Sequence, residues 1–555
     1  MNVALFELAI VVLVASGLGI LSQIFGQPTI LAYLATGTLI GALDFFHLQN
    51  QEIFRVFSDL GIMFLLFLVG LEINYNSVRL VGRASLIVGI GQLVFTILAG
   101  LGISFALGFS ASEALYLSVA LTFSSTIIVV KLLADQKAIN SLYGRLSIGF
   151  LLVQDFFAIF LLMILTGIES GEGVYFGAIL FTFIKGVLLF GATLWLGKRL
   201  FPPLFDTISR SHELLFLSSL AWVFLFAAVA QRLGFSIEIA GFLSGLALAN
   251  SSEHFQIAAR IRPLRDFFIV IFFVLLGSSM AISNFGGLLL PIILFSLFVL
   301  VGNPLIIWIL MGIMGYRKRT LFLVGITSAQ ISEFSLILAV LGVRLGHIRQ
   351  EALSIITAVG VITITLSTYL ILYGDIILRR ISWLMKIFER ENTMDYANVA
   401  ATIKKQIVVI GAHRIGQGII GHISKQQLLV IDFDPEIVAR LRKDGYDCLF
   451  GDIKDEEILE DARLREAKIV ICTSPDFEDN MMLLEYIRAI RGQKPRVVVR
   501  GENERDAKVF YKKGADYVLL PHITSGNYLG KAFASDVSGD TLVYLKKKDM
   551  ALIHS

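Results

Sequence analysis

Leu121-Thr122-Phe123-Ser124-Ser125-Thr126-Ile127 sets four hydroxyls in the middle of an apolar run, and Gly325-Ile326-Thr327-Ser328-Ala329-Gln330-Ile331-Ser332-Glu333-Phe334 breaks a later run in the same way. Thr122 and Thr327 lie 205 residues apart. Working outward, Leu31-Ala32-Tyr33-Leu34-Ala35-Thr36-Gly37 resembles Ile239-Ala240-Gly241-Phe242-Leu243-Ser244-Gly245 at an offset of 208, and Gly61 through Gly70 parallels Phe268 through Gly277 at an offset of 207. Three matches in order at nearly one offset mark an internal repeat. The offset spans seven apolar runs, an odd number, so the two halves cross a membrane in opposite senses. Inverted repeats place a transport site near mid-membrane, at discontinuous helices.

Composition points the same way. Of the 555 residues, 56% are hydrophobic and 16% charged, more apolar surface than a soluble chain of this length can bury. The apolar runs end near residue 373 and ordinary charged sequence follows. A spanning helix needs roughly 20 mostly apolar residues. Runs near that length begin close to residues 4, 28, 53, 84, 113, 142, 174, 213, 235, 263, 285, 320 and 352, which predicts about thirteen helices. Ala4–Leu21 lacks a basic leader and reads as the first of them, not as a cleaved signal. Loops after odd-numbered runs carry fourteen Lys and Arg against four after even-numbered runs. The odd-side loops are therefore expected in the cytoplasm, with the N-terminus outside and the C-terminus inside. The net charge of +3 gives no reason to invoke nucleic acid. Cys448 and Cys472 read as reduced core residues.

The hydroxyl-rich breaks admit two readings. They serve close helix packing, or they unwind and offer carbonyls and half-helix ends to an ion; their correspondence in the repeat favours unwinding. Gln154-Asp155 lies near the centre of the sixth run, between Leu-Leu-Val and Phe-Phe-Ala-Ile-Phe. A carboxylate there costs roughly 2.5–3.5 kcal/mol and normally faces a cavity or an ion path. Because burial favours its neutral form, one acid can hold either a proton or a dehydrated cation. Lys185, the one base within a run, is the alternative structural partner. Glu333, with Gln330 and Ser328 beside it, either lines the ion path or hydrogen-bonds backbone freed by the break. Glu72 and Glu238 sit at run ends, where snorkelling accounts for them.

From Gln406 short strands alternate with amphipathic helices: Ile407–Ile410, Leu428–Ile431, Ile469–Cys472, Val497–Val499 and Tyr517–Leu520. That is a parallel Rossmann-type sheet. The first strand runs into Gly411-Ala412-His413-Arg414-Ile415-Gly416, and Asp432 ends the second strand 21 residues after Gly411. Glycines at such a turn let backbone approach a phosphate, and the acid receives ribose hydroxyls. His413 replaces the second glycine, and its side chain would crowd a pyrophosphate. An adenine nucleotide, AMP or NAD(H), is the expected ligand, with Arg414, Ile415 and Asp434 beside these residues. The domains read as an exchanger at 1–373, a linker helix at the inner membrane surface at 374–404, the nucleotide-binding unit at 405–525 and a tail at 526–555. A multi-pass α-helical membrane protein with two crossing discontinuous helices, joined to a C-terminal α/β Rossmann-like domain, is the predicted fold.

Over nearly its whole length the chain resembles the cation:proton antiporter-2 family, in the Kef-type branch. The matching residues are Gly70-Leu71-Glu72, Thr122-Phe123-Ser124-Ser125-Thr126, Leu152-Val153-Gln154-Asp155, Gln330 through Glu333-Phe334, and a TrkA-N-like (RCK-like) C-terminal domain. The resemblance implies a secondary transporter and no enzyme. Asp155 would carry proton and cation by turns, with Gln154, Thr122, Ser124, Ser125 and Thr126 completing the cation site. It also implies a homodimer joined through membrane and cytosolic domains, in which an ion-carrying bundle moves against a static one, with room for a soluble regulatory subunit. Electrogenic relatives carry a second aspartate where this chain has Gln154 and a lysine before Pro-Leu where it has Asn303-Pro304-Leu305. Loss of both charges together predicts electroneutral one-for-one exchange. Potassium is favoured, with sodium open. The resemblance puts Asp452 and Thr473 at the adenosine and Arg500 where Kef-type proteins use an arginine for glutathione-linked gating. A potassium channel would need a Thr-Val-Gly-Tyr-Gly filter, which the sequence lacks, and a membrane-anchored oxidoreductase would need a substrate domain.

Overall fold

The structure, a computed structural model, describes residues 3–43, 51–72, 82–136, 138–139, 141–165, 211–232, 237–249, 251, 253–278, 285–389, 405–454, 456–490 and 492–535, with a few helical positions between 191 and 199 and between 545 and 550. The chain forms two compact units, Met1–Arg390 and Glu391–Ser555.

In the first unit, α1 (Val3–Ile24), α2 (Thr29–Leu43), α3 (Gln51–Glu72) and α4 (Arg83–Ala106) precede a broken helix, α5 (Ala111–Ala120) and α6 (Thr126–Asp135), and then α7 (Leu142–Leu165). Next come α8 (His212–Arg232), α9 (Ile237–Leu248) and α10 (His254–Ser278), followed by α11 (Phe285–Leu297), a π turn (Phe298–Gly302) and α12 (Asn303–Ile313). A second broken helix, α13 (Lys318–Thr327) and α14 (Glu333–Arg344), leads to α15 (Gln350–Leu372) and α16 (Gly374–Met385). These account for twelve of the thirteen spans read from the sequence. The seventh, with Lys185, lies outside the described residues. The tenth starts at His254, about nine residues earlier than hydropathy suggested, because Arg260, Arg262 and Arg265 ride on its first turns. On α16, Leu378 and Met385 are buried, and the Phe388 ring that follows lies 5.8 Å from Trp308 of α12.

Both predicted breaks are real. α5 stops at Ala120 and α6 resumes at Thr126; α13 stops at Thr327 and α14 resumes at Glu333. The hydroxyls at the breaks restart the helices, since Ser125 accepts from the Ile128 N–H and Ser332 from the Phe334 N–H. Serine is a favoured N-cap because its oxygen satisfies a backbone donor that has no partner in the first turn.

The helices pack in two groups. α1–α3 and α8–α10 contact one another most densely, as do α4–α7 with α12–α15. The repeat glycines explain the first group. A Cβ on Gly37 of α2 would stand 2.0 Å from the Val274 carbonyl oxygen of α10, and one on Gly277 of α10 would stand 2.2 Å from that of Leu34 in α2. The repeat-related pair does the same between α3 and α9: Gly70 faces the Phe242 oxygen at 2.2 Å and Gly245 the Phe67 oxygen at 1.9 Å. Thus the glycines that betray the repeat are the points where its halves cross backbone to backbone, as small residues allow in a membrane.

The second unit is a six-stranded parallel sheet, β1 (Ile407–Ile410), β2 (Leu428–Asp432), β3 (Asp447–Phe450), β4 (Ile469–Cys472), β5 (Arg496–Arg500) and β6 (Tyr517–Leu519), in the order β3-β2-β1-β4-β5-β6. α17 (Arg414–Ile420) follows β1, α18 (Pro435–Lys443) β2, α19 (Glu456–Asp461) β3, α20 (Phe477–Ala489) β4, α21 (Glu504–Lys512) β5 and α22 (Pro521–Ser535) β6. β3 escaped the strand pattern because only Cys448, Leu449 and Phe450 stand between charged residues and the Gly451-Asp452 turn. Cys448 and Cys472 are free and buried, and burial pushes both thiols up to about 12.

Gly245→Ala is expected to lower the stability of the detergent-solubilised protein by about 1–3 kcal/mol, because the new methyl must push two backbones apart. Gly17→Ala and Gly19→Ala, whose Cβ atoms would meet nothing within 4 Å, should leave the unfolding midpoint unchanged. Equal midpoints for all three variants would dismiss the close crossing.

Candidate functional site

The two breaks meet where α5 and α13 end and α6 and α14 begin. In a membrane interior each freed N–H and C=O must find a partner within the protein. Several find side chains. The Ser124 N–H donates to Gln154 Oε1 at 2.9 Å, the Thr122 carbonyl accepts from Gln92 Nε2 at 3.1 Å, and the Leu121 carbonyl accepts from Asn303 Nδ2 at 3.0 Å. From the other break, Ser335 Oγ donates to the Ala120 carbonyl at 2.6 Å, and Ser124 Oγ to the Ser328 carbonyl at 3.3 Å.

Asp155, on α7, is buried and accepts a hydrogen bond from Thr126 Oγ1 at 2.8 Å. Glu333 accepts from Ser125 Oγ at 2.9 Å and from Ser332 Oγ at 3.2 Å. Its carboxylate therefore sits at the N-terminal ends of both resumed half-helices, where the backbone dipoles favour negative charge. It also lines a cavity of about 550 Å³, together with Ser125, Gln27, Tyr33, Lys131 and Asp266 among others. Glu333 thus holds the capping hydroxyls, where freed backbone was the expected partner, and it faces an accessible space.

The remaining sequence-selected residues spread differently. Thr122 Oγ1 turns back onto the Ser118 carbonyl of its own helix at 2.9 Å. Gln330 accepts from Ser367 of α15 at 3.0 Å, and Ser328 Oγ caps the Gly325 carbonyl at 2.7 Å. Asp155, Gln154, Ser124 and Thr126 come together, with Ser125 directed to Glu333. Gln92 and Thr96 of α4 were not picked out by sequence reasoning, yet both are fully buried at the crossing. The available signal was a pair of polar residues one helical turn apart in an apolar span. Asn303 was noted only for the charge it lacks. It leads α12 straight after the π turn, a wide turn of the kind that occurs at functional positions.

The opposite ends of the helix groups differ from the cavity side. Arg344, at the end of α14, pairs with Asp59 of α3 and lies 3.9 Å from Glu238 of α9. Arg349 pairs with Glu113 of α5 at 2.7 Å, and the Tyr116 hydroxyl meets His347 Nδ1 at 2.8 Å. Glu238 is buried against Arg344 and does not snorkel into water.

In the second unit, Gly411 takes a φ of 87°, in the left-handed region that favours glycine. A Cβ on Gly416 would stand 2.0 Å from the Gly411 oxygen, so the first turn of α17 lies directly on β1. Asp432 accepts from the N–H groups of Ala412 at 2.6 Å and Asp434 at 2.8 Å. Burial raises its proton affinity and these bonds partly offset the rise. His413, the expected obstruction, is 57% exposed and lies 3.9 Å from Asp434. Asp452 accepts from the Lys454 N–H at 2.9 Å, and Thr473 Oγ1 donates to the Gly411 carbonyl at 2.9 Å. Arg500 pairs with Glu502 and donates weakly to the Thr473 carbonyl at 3.5 Å, while its buried Nε has no acceptor. An open glycine turn, an acid at the end of β2 and an unsatisfied guanidinium donor fit a nucleotide. Among the described residues no cluster of His, Cys, Asp and Glu could hold a metal.

Comparison with known proteins matches residues 9–372 to the transmembrane sodium/hydrogen exchanger model and residues 407–521 to the TrkA-N domain. A protein of Alkalimonas amylolytica named for K(+) efflux antiport, KefB, is 26% identical over 90% of this chain and 77% of its own length. Escherichia coli (strain K12) YbaL, named for cation/proton antiport, is 26% identical over 91% of this chain and 92% of its own. The sodium proton antiporter MjNhaP1 of Methanocaldococcus jannaschii superposes with a TM-score of 0.54 over 68% of this chain and 98% of its own, at 14% identity, a likeness of fold.

Asp479, on α20, gives a pH test of the second unit. Burial raises its carboxyl to about 6, against the pull of Lys454 Nζ at 3.2 Å and a bond from Ser474 Oγ at 2.6 Å, and the like charges of Asp452 and Asp476 add to the rise. An acid that holds its proton more tightly folded than unfolded adds stability below its unfolded value near 3.9 and loses it as pH rises through the folded value. Raising the pH from about 4 to about 6 should therefore cost the second unit on the order of 2 kcal/mol from this group. Asp479→Asn should remove that slope, measured in the full-length protein as protection of β4 and α20 amides after correction for intrinsic exchange. Identical pH dependence in variant and wild type would refute it.

Proposed function

The chain belongs to the sodium/hydrogen exchanger family and carries a TrkA-N domain, and from that premise we propose that it exchanges potassium for protons one for one through Asp155. It is a membrane-spanning cation/proton antiporter with a soluble TrkA-N unit, a transporter and no enzyme. The observation that carries the finer reading is the company Asp155 keeps. It accepts a hydrogen bond from the Thr126 hydroxyl, and the amides that satisfy the backbone of the α5–α6 break, Gln154, Gln92 and Asn303, carry no charge. A cation or a proton at Asp155 then neutralises one charge, and the two compete for one site. Glu333 stays with the half-helix ends that it compensates. Potassium is favoured by the relative named for potassium efflux.

Alternating access by movement of one helix group against the other is supported by the asymmetry between the ends. A cavity floored by Ser125 and Glu333 reaches the crossing from the side of Lys131 and Arg265. On the far side, Arg344 of one group bonds Asp59 of the other. By the distribution of basic loops, the open side is the cytoplasmic face of the inner membrane, and the chain works as a homodimer. An adenine nucleotide held by Gly411, Asp432, Asp452 and Arg500 regulates exchange.

Reconstituted protein tests this reading. Wild type should exchange potassium for protons in proteoliposomes at a final ratio set by the pH difference alone. An imposed potential of 100 mV should not move it, whereas transport of one net charge would shift the ratio roughly 50-fold. Asp155→Asn should exchange at less than about a hundredth of the wild-type rate, in line with loss of an essential proton-transfer group. Exchange that follows the potential rules out one-for-one stoichiometry, equal transport of sodium rules out the potassium preference, and an active Asp155→Asn rules out the carrier.

A further inference from the structure

The side chains that satisfy the α5–α6 break form one directed chain. The Ser124 N–H donates to Gln154 Oε1 at 2.9 Å, and Gln154 Nε2 donates to Gln92 Oε1 at 2.7 Å. Gln92 Nε2 donates to the Thr122 carbonyl and to Thr96 Oγ1, both at 3.1 Å. Thr96 Oγ1 donates to Asn303 Oδ1 at 2.7 Å, and Asn303 Nδ2 to the Leu121 carbonyl at 3.0 Å. Gln92, Thr96, Gln154 and Asn303 are all fully buried. The backbone contacts fix every amide. The oxygen facing an N–H must be that of Gln154, so its nitrogen faces Gln92, whose own nitrogen is left for a backbone carbonyl.

The unwound segment is thereby tied to α7 by two adjacent bonds of different character. Thr126 holds Asp155, the carboxylate that takes up the proton or the cation. Ser124 holds Gln154, a neutral amide that takes up neither. We propose that Gln92, supported by Thr96 and Asn303, is a positioning residue for exchange: it locks Gln154 onto the Ser124 N–H, so that the unwound segment keeps its place beside Asp155 while one ion replaces the other. The chain does this with neutral amides, and so adds no charge to the one that moves. The Gln154 carbonyl is committed to backbone, which leaves cation contact to Asp155, the Thr126 hydroxyl and freed carbonyls.

The inference rests on Asp155 as carrier, and the test separates the two. Gln92→Leu keeps the size but removes both the acceptor for Gln154 and the donor to Thr122. Loss of a buried partner should raise the cation concentration for half-maximal exchange between roughly 5- and 100-fold. A role in folding alone would instead lower the amount of active protein and leave half-saturation where it is. Gln154→Leu should produce a similar rise, and the double variant should be no worse than either single, since both break one link. Thr96→Val, nearly isosteric, should give a smaller rise and carries the test if Gln92→Leu fails to fold. Half-saturation unchanged from wild type in Gln92→Leu, or in Thr96→Val where only that variant folds, overturns the lock, as do fully multiplicative effects in the double variant. If Asp155→Asn exchanges at the wild-type rate, the carrier reading fails first.

Discussion

Unwound backbone inside a membrane is the constraint on which this structure turns. Each N–H or C=O left without a partner there costs several kcal/mol, and two breaks at one depth release many such groups at once. The fold meets that cost at the crossing itself. Ser125 and Ser332 cap the resumed helices, Glu333 accepts from both serines, Ser335 reaches across to Ala120, and the amides of Gln92, Gln154 and Asn303 take three more backbone groups. The proposed site for a dehydrated cation would be a by-product of this arrangement. The oxygens already gathered around the break are those a monovalent cation needs in place of water.

Where these obligations are met by uncharged groups, the electrostatics of transport simplify. A lysine at the Asn303 position would compensate the carbonyl end of α5 with a full charge and would call for a second acid nearby. The Asn303 amide compensates the same end with a dipole. The acid on α7, Asp155, accepts from the Thr126 hydroxyl and is the group proposed to hold the ion. Glu333 is engaged by the Ser125 and Ser332 hydroxyls at the starts of the two resumed half-helices.

Much of this was legible in one dimension, and the limits have physical causes. The breaks were visible because hydroxyls interrupt apolar runs, and the repeat because Gly37, Gly70, Gly245 and Gly277 recur in register. Both signals are local. The β1 turn and Asp432 were legible because their spacing is fixed by a short strand–turn–helix unit. What stayed hidden depends on distant partners. Gln92 and Thr96 differ in sequence from any packing polar pair only through Gln154, 62 residues away, and Asn303, 207 residues from Thr96. Glu238 looked like a snorkelling end residue until Arg344, from the other helix group, was seen beside it. β3 was too short to show alternation.

The same comparison separates what must move from what must not. Backbone crossings at Gly37–Gly277 and Gly70–Gly245 lock α2, α3, α9 and α10 into one body, since close backbone contact tolerates little sliding. Between that body and the group holding Asp155, the described charged contact at the closed end is made by Arg344, whose side chain is 38% exposed and whose partner Asp59 is 30% exposed. The Arg344–Asp59 pair, which water reaches, contributes little, about 0–1 kcal/mol, whereas Glu238, buried 3.9 Å from Arg344, is the costlier contact to release. The buried amide chain lies wholly within the other group, on α4, α7 and α12, where breaking it would cost far more. Stiffness is thus concentrated inside each group, and a pair that water reaches lies between them. The proposed shift of one group past the other would draw on that distribution of strength.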